Sequence, residues 1–273
     1  MKISTQNYPT NFGTSYRRVL KSSYTLGDCY EASTYFYVHG LEWDKFFNQV
    51  VEKYKNIPKV NVFSLACSDG SEAYSIAMLL IAKLGLEGAK KYFPIIAVDF
   101  DKVITRNARK GFMNLSAEDE VRINKYTNNK LNQFFERTNE SFISDKIGGT
   151  DNRVLLTKFK TKPILSDKVV FITEDVNSYV DKMPKGTNLT FCRNCWPYLW
   201  KTRNEFAQKL SDKLDDNSYL VIGDYDFLLC PMQVEDCYGF TQNPEFENVY
   251  QKGEKKYNSS QHAIFDRLGL KIK

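Results

Sequence analysis

A chain of 273 residues that is 42% hydrophobic and 14% aromatic has enough apolar side chain to bury a large core, which excludes an intrinsically disordered protein. Its net charge of +5 is spread without a basic block, so charge alone singles out no nucleic-acid or acidic partner. No apolar run approaches the roughly 18 residues of a membrane span, and the start, MKISTQNYPTNFGTSYRRVL, lacks the apolar stretch of a secretory leader. A soluble, cytoplasmic protein without membrane insertion is expected.

In chain order, the first 30 residues are polar, tyrosine-rich and punctuated by Pro9, Gly13 and Gly27, with room for one helix around Ser15 to Ser23. Leu41, Phe46, Phe47, Val50, Val51 and Tyr54 recur at helical spacing, and Pro58 ends that helix. KVNVFSLAC then reads as a strand, DGSEAYSIAMLLIAKLG as a helix closed by Gly85, YFPIIAVDFD as a second strand, and KVITRNARKG as a helix closed by Gly111. That alternation is the signature of a parallel sheet with crossover helices.

Asn114 to Arg137 reads as helical, with KLNQFFER its clearest piece. Beyond a turn at Gly148 and Gly149, RVLLTKFKTKPILSDKVVFITEDV carries strand-like runs broken by Pro163. NLTFCRN is a short buried strand, KTRNEFAQKLSDKL a helix and SYLVIGDYDF a further strand. YGFTQNPEFENVYQKG has the form of a hairpin that would close the sheet with an antiparallel edge. The expected fold is α/β, a mostly parallel Rossmann-like sheet.

Six cysteines, Cys29, Cys67, Cys192, Cys195, Cys230 and Cys237, are too few in a chain of this length for a disulfide framework. Cys192 and Cys195 form one Cys-x-x-Cys, but a closed zinc site needs four ligands and the two histidines, His39 and His262, are far from it in sequence. No metal site is expected.

Ligands of an open α/β sheet bind beyond the carboxyl ends of its strands. Three polar loops fall there: Cys67 to Glu72, Asp99 to Asp101, and Cys192 to Tyr198. The first has a lone Gly70 where a dinucleotide-binding loop carries three glycines to let a diphosphate approach the backbone. A cofactor without phosphates does not need that turn, and S-adenosylmethionine is one. Asp99, ending the second strand, is placed to accept hydrogen bonds from both ribose hydroxyls. Asp101 is placed to cap the next helix.

These residues resemble the CheR family, chemoreceptor glutamate methyltransferases that use S-adenosylmethionine. SLACSDGSEAYSIAM is similar to the family's Ser-Ala-Ala-x-Ser-x-Gly-Glu-Glu-x-Tyr-Ser-Ile-Ala-Met, and AVDFDKVITRNARKG resembles its Asp-Ile-Asp and following helix. KLNQFFER matches Leu-x-x-Tyr-Phe-x-Arg, FCRNCWPYL matches Phe-Cys-Arg-Asn-Val-x-Ile-Tyr-Phe, and NSYLVIGDYDF matches Gly-Tyr-Leu-x-x-Gly-His-Ser-Glu. The motifs run in order from about Thr34 to Tyr250.

The resemblance implies a methyltransferase domain over residues 56–273, a β-subdomain insertion at 141–168 and an N-terminal extension and helix over 1–55; in the family that insertion docks on receptor tails, whereas its residues here read first as a solvated edge hairpin. It implies that Thr34, Phe36, Ser68, Gly70, Glu72, Asp99, Asp175 and Asn194 line the cofactor site, with Glu72 pairing the cofactor's ammonium and Asp175 meeting the adenine edge. Tyr198, Asn194 and Arg193 are the implied catalytic residues, with Tyr198 beside the transferred methyl. The implied acceptor is a carboxylate of an acidic protein, a chemoreceptor or another signalling protein, and the product is S-adenosylhomocysteine. Nucleic acid is disfavoured, since no Asn-Pro-Pro-Tyr or Asp-Pro-Pro-Tyr follows Phe191.

Four departures stand out. Val38 occupies the position of an arginine in the family's Thr-x-Phe-Phe-Arg, Asp175 that of an asparagine, Ser71 that of a glutamate, and GDYD replaces Gly-His-Ser-Glu. A catalytically silent relative that binds cofactor or partner is the second reading. Cys195 stands where the family usually has valine and is expected to be a small buried apolar residue, its pairing with Cys192 incidental.

Overall fold

The computed structural model describes residues 18–19, 31–32, 36–38, 40–145, 153–199, 202–223, 226 and 239–253. In chain order the elements are β1 (Arg18–Val19), β2 (Glu31–Ala32), α1 (Trp43–Lys53), β3 (Asn61–Leu65), α2 (Ser71–Ala89), β4 (Ile95–Asp99), α3 (Lys102–Arg109) and β5 (Phe112–Leu115). There follow α4 (Ala117–Thr127), α5 (Leu131–Phe134), β6 (Phe135–Asp145), β7 (Arg153–Thr161), α6 (Pro163–Ser166), β8 (Val169–Thr173) and α7 (Val176–Lys182). The chain continues through β9 (Asn188–Phe191), α8 (Arg203–Lys213), β10 (Tyr219–Val221), β11 (Phe240–Gln242) and β12 (Val249–Lys252).

Seven strands form the main sheet in the order β11-β12-β10-β9-β3-β4-β8. The five from β10 to β8 are parallel, while β12 lies antiparallel to β10 and β11 antiparallel to β12. This is the α/β architecture expected from sequence, with the tail hairpin as its antiparallel edge. The chain winds outward from β3 to β4 and β8, then returns to β9 on the other side of β3. That reversal opens a crevice beyond the carboxyl ends of β3 and β9, where an open α/β sheet binds its ligands.

Local sequence accounts for most of these elements. On α1, Trp43, Phe46, Phe47 and Val50 fall at i, i+3, i+4 and i+7 and form one buried stripe. The Trp43 ring stacks on Phe191 of β9, 5.8 Å away and 6° from parallel. Residues Ser71 to Ile81 of α2 are all buried, and Gly85, at φ +67, breaks that helix as expected. Asp101 accepts from the backbone N–H groups of Val103 and Ile104, the expected cap of α3.

Two stretches differ from expectation. A helix around Ser15 to Ser23 falls mostly outside the described residues, and at Arg18–Val19 the backbone is instead a strand paired antiparallel with Glu31–Ala32. Between Asn114 and Arg137 only α4 and the one-turn α5 are helical. KLNQFFER changes state in its middle, because Phe134 ends α5 and Phe135 pairs with Thr161 across the second sheet. That three-stranded sheet, β5-β7-β6, carries exposed Phe112 with the ammonium groups of Lys158 and Lys160 4.8 and 4.3 Å from its ring centre. Among the described residues no helix is long and apolar enough to cross a membrane.

Candidate cofactor and methyl-transfer site

The loop from β3 to α2 is wound tightly. Ala66, Ser68 and Gly70 alternate in the left-handed region, with φ +57, +50 and +88. Asp69 accepts from both the backbone N–H and the hydroxyl of Ser71, at 3.0 and 2.7 Å, which fixes the first turn of α2. A β-carbon at Gly70 would lie 2.6 Å from the Phe171 ring of β8, so only glycine satisfies both the backbone angle and the packing. Gly70→Ala is expected to cost about 2–4 kcal/mol, combining the left-handed penalty with overpacking. Urea unfolding checks this; a change under about 0.5 kcal/mol would mean the loop relocates freely.

Asp99, at the end of β4, is buried and joins two loops. One carboxylate oxygen accepts from Ser68 N–H at 2.9 Å and the other from Asp101 N–H at 3.0 Å. Burial raises its pKa, and the backbone N–H donors of Asp101 and Ser68 oppose that rise.

Beneath this loop lies a buried charge cluster. Glu72 accepts from the Ser64 hydroxyl at 2.8 Å, and its other oxygen is 3.7 Å from Arg193 Nη1. Burial raises the Glu72 pKa, with Arg193 and Ser64 pulling it back. Arg193 Nη1 also donates to the Val38 carbonyl at 3.3 Å, and its guanidinium lies 5.7 Å from the centre of the Trp43 ring. Val38 O accepts as well from Trp43 Nε1 at 2.9 Å, while Tyr37 N–H donates to Ser75 Oγ at 3.0 Å. The segment holding Val38 is thereby fastened over α2 and the loop that follows β9. Glu72, expected from the resemblance to face an ammonium group, has an arginine of its own chain as its counter-charge.

The loop after β9 is organised by a residue that sequence reasoning passed over. Asp226 is wholly buried; one oxygen accepts from the backbone N–H groups of Asn194 and Gly223, at 2.5 and 2.8 Å, and the other from Trp196 N–H at 3.0 Å. Burial pushes this carboxyl up to about 7, against the opposing pull of those three donors and of Arg193. GDYD could be compared with Gly-His-Ser-Glu as a motif, but nothing local to it signals two contacts with the backbone of the loop after β9. Asn194 takes φ +58, and a β-carbon on Gly223 would fall 2.0 Å from its Oδ1. Tyr198 is 72% exposed, so it is not the buried aromatic that packing alone would call for.

The fold therefore brings Ser68, Gly70, Glu72, Asp99, Arg193 and Asn194 to the carboxyl ends of three adjacent strands, β4, β3 and β9, with Tyr198 on the turn after β9. Two other expected residues have partners of their own, although Asp175 follows Glu174, whose N–H donates to the Asp99 carbonyl at 3.0 Å. Phe36 is fully buried, edge-on to Phe135 at 5.8 Å, and supplies core packing. Asp175 is exposed and caps α7, accepting from the N–H and side-chain amide of Asn177 at 2.9 Å each. Thr34 and His39 lie outside the described residues.

Two signals at this crevice are invisible in sequence. Four of the six non-glycine residues with positive φ among the described residues are Tyr37, Ala66, Ser68 and Asn194, all at the site. Strained backbone gathers where geometry is imposed for function. In addition, Ser68 Oγ and Asn194 Oδ1 are buried without a hydrogen-bond partner. A bound molecule with donors and acceptors would satisfy both, and the lone-glycine turn suits one without phosphates. The residues present fit S-adenosylmethionine.

Comparison with known proteins agrees with the geometry. The family model for the CheR methyltransferase, SAM binding domain, matches residues 32–242. A chemotaxis protein methyltransferase of Borreliella burgdorferi is 30% identical over 201 residues, 70% of this chain and 62% of the relative, so the match spans less than two thirds of that protein. One from Listeria innocua is 24% identical over 227 residues, 81% of this chain and 76% of the relative. A solved S-adenosylmethionine-dependent methyltransferase from Clostridium acetobutylicum is 12% identical, covering 85% of this chain and 80% of its own, with a TM-score of 0.37. With the family model matched over residues 32–242, more than half of its length, the chain belongs to the CheR methyltransferase family.

Proposed function

We propose that this protein transfers a methyl group from S-adenosylmethionine to a protein carboxylate, the glutamate O-methylation of CheR type, leaving S-adenosylhomocysteine. The observation that carries this reading is the pair of unsatisfied buried atoms, Ser68 Oγ and Asn194 Oδ1, beside a buried Asp99 at the open end of the sheet. The bound cofactor supplies an electrophilic methyl on a sulfonium. Asp99 keeps lone pairs for the ribose hydroxyls after accepting from Ser68 and Asp101, and the exposed Asp175 can accept from the exocyclic amine of adenine.

A carboxylate acceptor is already ionised at neutral pH, so no strong general base is needed. What the chain must contribute is alignment and exclusion of water. Tyr198 is exposed at the mouth of the site, where it can orient the acceptor. Val38 has no charge with which to hold a carboxylate, and the guanidinium that reaches its segment belongs to Arg193. We assign Arg193 the electrostatic role there and Glu72 the task of holding it. The acceptor is an acidic segment of a chemoreceptor or another signalling protein of the cytoplasm, with the 141–168 insertion as the docking module.

Titration calorimetry of S-adenosylhomocysteine into the full chain tests the cofactor site. Micromolar affinity is expected, weakened at least tenfold in Asp99→Ala, about 1.4 kcal/mol or more. Absence of binding to the unaltered protein overturns the reading. Tritium transfer from labelled S-adenosylmethionine should then yield base-labile counts in acidic protein fractions; counts in nucleic acid instead would overturn the acceptor class.

A further inference from the structure

Cys192, just past the end of β9, and Cys195, one turn later, bring their sulfur atoms to 3.0 Å. That is about 1 Å longer than a disulfide bond and too close for two sulfurs that merely pack side by side. Both are free thiols, and both are buried beside Trp196, Leu199 and Phe206. The burial expected of Cys195 as a small apolar residue is therefore observed, but the sulfur contact is not something packing alone requires. Between the two cysteines sit Arg193, which meets Glu72, and Asn194, whose N–H is held by Asp226. Trp196 Nε1 donates to the Cys192 carbonyl at 2.9 Å, tying the indole to the same turn.

We propose that Cys192 and Cys195 are an oxidation site, a vicinal dithiol that hydroperoxides convert to an intramolecular disulfide, and that closing this bond weakens the adjoining cofactor site. The coupling to the cofactor rests on the function proposed above; the formation of the bond does not. One cysteine, as thiolate, attacks a peroxide oxygen and becomes a sulfenic acid while hydroxide leaves. The second sulfur attacks the sulfenic sulfur and expels water. In sum two thiols and one hydrogen peroxide give one disulfide and two waters, with two electrons passing from sulfur to oxygen.

Burial raises the pKa of both thiols; at Cys192 the contact with Cys195 opposes the rise, whereas at Cys195 the contact with Cys192 is the largest cause of it. Ionising either thiol is thus costly, and the reaction is slow, limited by thiolate supply and by opening of the loop. A small oxidant such as hydrogen peroxide suits a buried pair. Closing the 3.0 Å gap must move Cys195 relative to Cys192, and the two residues between them carry the guanidinium and amide of the site.

The test treats the full chain with hydrogen peroxide, blocks the remaining thiols and digests with trypsin. Cleavage after Arg193 separates the two cysteines, so the disulfide joins peptides 186–193 and 194–201 into one species that dithiothreitol resolves. We expect this linked species in the unaltered protein and none in Cys195→Val. S-adenosylhomocysteine affinity should fall at least fivefold on oxidation, recover on reduction, and be insensitive to peroxide in Cys195→Val. Absence of the linked species at peroxide levels that oxidise other cysteines of the chain overturns the oxidation site. A linked species with unchanged affinity overturns the coupling. If the reduced protein binds no S-adenosylhomocysteine, the cofactor reading fails, and the peptide map still decides the dithiol.

Discussion

Asp226→Ala is expected to destabilise the protein by about 3–6 kcal/mol, because it strands the backbone N–H groups of Asn194, Trp196 and Gly223 in a place without solvent. Against a total stability of roughly 5–15 kcal/mol, that approaches unfolding. Asp226→Asn is the more informative variant. Its amide oxygen can serve the two donors that share one carboxylate oxygen, but its NH2 faces the Trp196 N–H, so about 1–3 kcal/mol should be lost.

The two forms should also part company with pH. In the folded protein the Asp226 carboxyl holds its proton up to about pH 7, whereas its ordinary pKa is 3.8. Between those values the folded state binds one proton more than the unfolded state, so this residue's contribution is whole at low pH and is lost as pH rises through 7. The slope is about −1.4 kcal/mol per pH unit, and it is absent from Asp226→Asn. Urea unfolding of both proteins across that range cancels every other titrating group. Parallel profiles would show that the carboxyl is ionised throughout, with its three N–H donors outweighing its burial.

The second large effect concerns the buried ion pair, and it is asymmetric. Glu72→Leu leaves the Arg193 guanidinium buried without the Glu72 carboxylate, and a guanidinium cannot shed its charge. About 3–5 kcal/mol is expected. Arg193→Met should cost less, because Glu72, whose pKa burial already raises, can become neutral by taking a proton. The double variant should be more stable than Glu72→Leu alone, with a coupling of about 1 kcal/mol or more. Additivity of the two single changes within about 0.5 kcal/mol would mean the 3.7 Å approach contributes nothing. Either single change should also disturb Asn194, the next residue, and with it the binding of S-adenosylhomocysteine.

How much of this was readable from the sequence depends on the range of each interaction. Asp101 caps a helix two and three residues away, Gly85 interrupts α2 and Gly111 follows the end of α3, both by their own backbone freedom, so all three were legible. The crevice was legible too, since alternating strands and helices place every β-to-α loop on one side of the sheet. Phe135 was not, because its strand is defined by Thr161, 26 positions later, while its apolar neighbours satisfy a helical spacing just as well. Asp226 escaped for the same reason: its donors at Asn194 and Trp196 lie about 30 residues back. Phe36 and Asp175 carried over from a motif by position, and position alone does not say that one ring packs into the core on Phe135 or that the other side chain turns to Asn177.

The left-handed turns at Ala66 and Ser68 bear on what a motif is. Neither residue prefers that backbone region, and each costs about 1–2 kcal/mol to hold there. What holds them comes from elsewhere in the chain: Asp99 gripping the Ser68 amide, and Phe171 forming a wall against Gly70. A peptide with the sequence SLACSDGSEAYS would relax out of this shape, and grafting those residues onto another sheet would transfer their letters without their geometry. The signature by which the family is recognised is local in sequence, yet the cradle it describes is assembled by strands that lie outside it.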